Sequence, residues 1–86
     1  MANKYLIFRT EEYGESPLLF EQLIEHKEMA KIIKGSYPEA VIVSAGFWDT
    51  NKDGVYKPYG ESISLNISSR KEDEIILNMR FNNCQF

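Results

Sequence analysis

The chain has 86 residues, 43% of them hydrophobic and 27% charged, a globular composition that excludes a disordered or fibrous chain. Ten Lys and Arg against thirteen Asp and Glu give a net charge of −3. No concentrated basic stripe of a non-specific nucleic-acid binder is expected from this balance, and the ordered carboxylate rows of a DNA mimic are disfavoured. A chain of this length buries somewhat over about 60% of its unfolded surface, so one domain over 1–86 with a single core is expected.

Residues 4–10 are β-branched and aromatic and are followed by turn-like residues through Gly14, which predicts a strand. Ser16-Pro17 resembles a helix N-cap followed by proline at the first helical position. Gly35 stands where a C-terminal cap belongs, and Lys31 and Lys34 suit the end of the dipole. A helix is therefore predicted over 17–34, with Leu19, Phe20, Leu23, Ile24, Ala30 and Ile33 inward and Glu21, Glu25, Lys27, Glu28 and Lys31 outward. After Tyr37-Pro38-Glu39 the apolar period changes to two. Strands are predicted from Val41 to Trp48, from Val55 with a disturbance at Pro58-Tyr59-Gly60 after which the same strand resumes over 62–67, and over 75–81. Asn51-Lys52-Asp53-Gly54 joins the first two as a hairpin turn.

The fold class read from this pattern is α+β in two layers, ordered β-α-β-β-β, with one helix packed on a four-stranded, mixed but mainly antiparallel sheet. The crossover makes the first strand parallel to its neighbour, either the second or the fourth strand. Leu6 and Phe8 face the helix, and Tyr5, Ile7 and Arg9 face away. Val41, Val43, Ala45 and Phe47 share the helix side with Ile63, Leu65, Ile67, Ile75, Leu77, Met79 and Phe81. A single helix covers a single face, so the other, bearing Ile42, Trp48 and Ile76 among serines and asparagines, is expected to be open.

Catalytic patterns are thin. His26 lies at the border of the helix's buried face, where histidines are commonly just packed, and a nucleophilic pairing with Cys84 is disfavoured by the position of Cys84 near the chain end. One His and one Cys do not make a tetrahedral metal site. Asp49-Thr50-Asn51-Lys52-Asp53-Gly54 matches the start of a calcium loop. Its twelfth position is Gly60 rather than a bidentate Glu, and a plain hairpin is favoured over a weak Ca²⁺ site. Glu11-Glu12 and Glu72-Asp73-Glu74 read as solvated turns, and the dispersed glycines make no phosphate loop. Neither enzyme activity, nor a cofactor, nor a metal is expected.

The remaining feature is aromatic. Phe47, Trp48, Tyr56, Tyr59 and Tyr37 gather around one hairpin, and Trp and Tyr beside an Arg is the composition of an interface anchor. The expected binding surface is Ile42, Trp48, Tyr56, Tyr59, Ile76 and Arg80. The expected function is a small non-catalytic protein-binding domain, of inhibitor, immunity or anti-defence type by analogy of size and composition. Its partner would be another protein or a second copy of itself. The alternative is a nucleic-acid-binding module that stacks bases on the open sheet. No apolar run reaches the roughly 20 residues of a membrane span, and a single cysteine without a signal-like start points to the cytoplasm.

Overall fold

A computed structural model describes residues 3–82. In chain order these form β1 (Asn3–Thr10), β2 (Gly14–Phe20), α1 (His26–Ser36), β3 (Val41–Thr50), β4 (Tyr56–Tyr59), β5 (Glu61–Ser62), β6 (Ile67–Ser68) and α2 (Asp73–Phe81). The main sheet has four strands in the order β2-β1-β3-β4, and β5 pairs with β6 as a small second ribbon. The domain is thus α+β around one four-stranded sheet, as the periodicity predicts.

The order of elements differs from β-α-β-β-β, and the sheet is antiparallel at every pairing rather than mixed. Both differences begin in residues 14–20, which form a strand where a helix was predicted. Leu18 lies opposite Leu6, Leu19 opposite Tyr5 and Phe20 opposite Lys4. In this register Leu18 and Phe20 pack on one side of the sheet and Leu19 on the other, a use of adjacent apolar residues that a one-faced helix does not offer. Pro17 is tolerated because β2 is an edge strand. The tight return is closed by the Thr10 hydroxyl, which accepts the Tyr13 N–H at 3.0 Å. The crossover through α1 leaves from β2 and passes over β1 to β3, so the two strands it makes parallel are not neighbours and each pairs antiparallel with β1 between them.

The helix that does form starts nine residues later than predicted. A capping box joins Glu25 and Glu28, Ala30 and Ile33 are buried, and Gly35 lies inside the last turn. Leu23, predicted to be core, precedes the helix and is 85% exposed.

The second correction is at 73–81, predicted as a strand and observed as α2. Asp73 and Leu77 are buried, and Ile76 and Phe81 are half-buried: this is the i, i+3, i+4 spacing of a helix face. The same stretch also alternates, with Ile75, Leu77, Met79 and Phe81, but Ile75 and Met79 are exposed. Residues 62–67, read as one strand, instead split into β5 and β6 around a turn at 63–66, with Asn66 at φ 57°.

Three layers result. On one face of the sheet, Leu6 and Ala45 meet Ile33 and Ala40 together with Leu65 and Ile67 of the ribbon. On the other, Tyr5 and Ile7 meet Leu77, ringed by Leu19, Val43, Trp48 and Tyr56. Leu6 and Phe8 face α1 as predicted. In β3 the alternation is broken: Ser44 lies opposite Ile7 but Ile42 opposite Phe8, leaving Val43 as a bulge residue. The bulge sends Ile42 to the α1 side and Val43 to the α2 side, which reverses the predicted parity of both. Gly46 is required by close approach, since a Cβ there would stand 2.5 Å from the Tyr59 carbonyl oxygen.

Candidate interaction surface

The face expected to be open is covered by α2. Trp48 donates its indole N–H to the Lys4 carbonyl at 3.1 Å, its ring lies 5.1 Å from that of Tyr56, and Ile76 packs into the same cluster. The six predicted surface residues are therefore not one surface. Trp48, Tyr56 and Ile76 meet between the sheet and α2, and Ile42 packs on the α1 side. Tyr59 is exposed beside Phe47, with ring centres 5.9 Å apart. Arg80 is exposed at the rim of a shallow depression it shares with Tyr13 and Tyr37.

α2 is fastened by polar contacts that a periodicity does not reveal. The buried Asp73 carboxylate accepts the Tyr5 hydroxyl at 2.5 Å and the Arg70 backbone N–H and Nε, each at 2.9 Å. Arg70 reaches on to Glu15 of β2, at 2.7 Å and 3.3 Å. The Asn78 side chain both accepts the Tyr56 N–H, at 2.8 Å, and donates to the Tyr56 carbonyl, at 3.0 Å, pairing with β4 as a strand would. Burial, then the Asp73 carboxylate, pushes the Tyr5 phenol well above its ordinary pKa. The Arg70 hydrogen bond pulls Glu15 down, and Glu15 in turn raises Arg70.

His26 is a packed residue. Its ring stands edge-on to Phe20 and Phe47, with centres at 5.3 Å and 5.7 Å, and Nε2 donates to the Gly46 carbonyl at 2.9 Å. Burial lowers its pKa. The pairing considered for it with Cys84 lies outside the described residues. In the 49–54 turn the Asn51 side-chain oxygen accepts the N–H groups of Asp53 and Val55. That hydrogen bonding turns the hairpin and occupies an oxygen a calcium loop would aim at its ion.

The surface that stands out lies between α1 and the β5–β6 ribbon. There a groove of about 660 Å³ is floored by Ala30, Ala40, Val41, Ile42, Leu65 and Ile67. Ala30 and Ala40 give it depth, and Val41 is 47% exposed. The far wall is held to the helix by the Ser64 hydroxyl, which accepts the Lys27 N–H at 3.2 Å. Lys27, Lys31 and Lys34 line the near side at i, i+4 and i+7, one helix face. Among the described residues none of the three is in an ion pair, whereas Lys57 and Arg70 each have carboxylate partners. No acidic side chain is among the described residues lining the groove.

The lysines were visible in the sequence, Lys27 and Lys31 read there as the outward side of the helix and Lys34 as a last-turn partner of its dipole. Their row was the available signal. The apolar floor was not visible, because Leu65 and Ile67 read as strand core and the break at 63–66 was missed.

Comparison with protein-family models, curated proteins and solved structures returned no match. Among the described residues no helix is long and apolar enough to cross a membrane.

Proposed function

We propose that this chain is a small non-catalytic protein-binding domain, of the inhibitor or immunity type, and that the groove between α1 and the β5–β6 ribbon is its contact face. The supporting observation is the combination of an apolar floor, exposed at Val41 and half-buried at Ile42, Leu65 and Ile67, with three lysines that form no ion pair among the described residues, on a chain of net charge −3. Apolar anchors inside a charged rim are the usual anatomy of a protein interface. A non-catalytic role is supported by the structural use of the groups that could do chemistry. His26 is packed between two aromatic rings, and Asp73 is engaged by Tyr5 and Arg70. A cytoplasmic setting is part of the proposal, supported by a stretch of 86 residues with one cysteine, whose stability owes nothing to internal disulfides.

The test is paired capture from host lysate with wild type and Val41→Asp, followed by titration of the purified partner. Val41→Asp should weaken binding by roughly 30-fold, the scale of an anchor residue. Equal binding to both baits would remove the groove from the interface. The lysine row also favours one second reading, nucleic-acid binding, which predicts an affinity falling steeply as salt rises.

A further inference from the structure

We infer that the groove takes an acidic amphipathic helix of a partner protein, carrying carboxylates at i, i+4 and i+7 beside an apolar stripe. The inference rests on the protein-binding reading above and supplies its chemistry. Lys27 and Lys34 lie seven positions apart on α1, about 10.5 Å along the axis, with Lys31 between them at steps of about 6 Å and 4.5 Å. A helix laid alongside repeats the same unequal steps, so three carboxylates meet three ammonium groups while its apolar stripe faces Val41 and Leu65. An extended segment places side chains of one face about 6.8 Å apart, which fits the first step and misses the second.

The occupant is acidic because the groove lining holds cations and no anions, so a basic or neutral helix would leave the lysines facing nothing that complements them. A second copy of this chain is a poorer match. Neither of its helices carries carboxylates at i, i+4 and i+7: Glu28 of α1 is engaged with Glu25 in the capping box, and Asp73 and Glu74 of α2 are adjacent in its first turn and paired with Arg70 and Lys57.

The experiment uses the full chain and dye-labelled synthetic helices, read by fluorescence anisotropy. One helix has Glu at i, i+4 and i+7 with Leu on the adjoining face, a second has Gln at those positions, and a third has Lys. The Glu helix should bind saturably, the Gln helix at least roughly tenfold more weakly, and Lys31→Glu with Lys34→Glu should reverse the preference in favour of the Lys helix. All three lysine positions are exposed, so circular dichroism of the double variant should be unchanged.

Equal binding of Glu and Gln helices, abolished by Val41→Asp, would overturn the acidic requirement while leaving the groove as a docking face. Absence of binding by any helix, with a captured partner still sensitive to Val41→Asp, would overturn the helical occupant alone. Insensitivity of that partner as well would overturn both readings. Saturation by a long-chain fatty carboxylate when no helix binds would make the groove an anionic-lipid site and overturn the inference.

Discussion

Tyr5 in the centre of β1 and Asp73 at the start of α2, 68 positions apart, share a buried hydrogen bond of 2.5 Å. Both side chains are fully inaccessible to solvent, and the carboxylate is also paired with Arg70 at 2.9 Å. Removing one member of such a set leaves the others without partners in a medium that solvates charge poorly. Asp73→Ala should therefore cost about 3–5 kcal/mol. Tyr5→Phe, which keeps the ring and leaves Asp73 on Arg70, should cost about 1.5–3 kcal/mol. Urea titration reads both, and a larger loss for Tyr5→Phe than for Asp73→Ala would misplace the centre of the network.

The same network fixes the direction of the pH dependence at both extremes. The Tyr5 phenol is raised from 10.0, so its contribution is complete below pH 10 and is lost as the pH climbs towards the folded-state value. Glu15 is lowered from 4.5 by the Arg70 hydrogen bond, so its contribution is present above pH 4.5 and is lost on acidification below it. Thermal melts across the two limbs should show Glu15→Gln flattening the acid limb and leaving the alkaline limb in place.

His26 adds a third, milder limb. Burial lowers its pKa from 6.5; the folded state then binds fewer protons than the unfolded one, and stability falls as the pH drops below 6.5. The chain has a single histidine, so one imidazole resonance titrating by NMR reports it without ambiguity. A midpoint at or above 6.5 would contradict the packing of the ring between Phe20 and Phe47.

Two glycines should respond in opposite senses to the same substitution. At Gly46 a methyl group would press on the Tyr59 carbonyl, a backbone atom that cannot swing aside, and Gly46→Ala should cost about 1–3 kcal/mol. Gly35 lies within α1, and a Cβ there would have nothing within 4 Å, so Gly35→Ala should gain about 0.5–1 kcal/mol from helix propensity. Denaturant midpoints of the two variants against wild type make the comparison.

What could be read from the sequence followed from local signals that tertiary contacts reinforced. β1, β3 and the Asn51–Gly54 turn combine β-branched residues, alternation and Asp-Gly, and all three form. The misreadings share one cause. At 14–20 the Ser-Pro signal is local, but pairing with β1 buries Leu18 and Leu19 on opposite faces, and that burial outweighs a cap. At 73–81 the apolar spacing satisfies periods of both two and 3.6. The choice is made by Asp73 and Asn78, whose partners Tyr5 and Tyr56 lie 68 and 22 positions away. The acidic Asp73-Glu74, read as part of a solvated turn, and the late Arg80, read as a strand residue of the open face, stand in the order a helix dipole favours. The expected interface failed for the same reason, since an extra helix covers the face that one helix leaves bare.

Trp48 measures that failure directly. As an interface anchor it would tolerate truncation without loss of folding. As placed here, it fills the layer between β3 and α2 against Tyr56 and gives its N–H to the Lys4 carbonyl. Trp48→Ala should cost about 3–5 kcal/mol of folding stability. Trp48→Phe, which keeps most of the ring and leaves the carbonyl without its donor, should cost about 1–3 kcal/mol. The sole tryptophan should emit towards the blue in the native state and shift to the red on unfolding, giving an internal probe for both titrations. A Trp48→Ala variant as stable as wild type would mean that α2 does not rest on this residue, and would return the sheet face beneath it to the list of surfaces open to a partner.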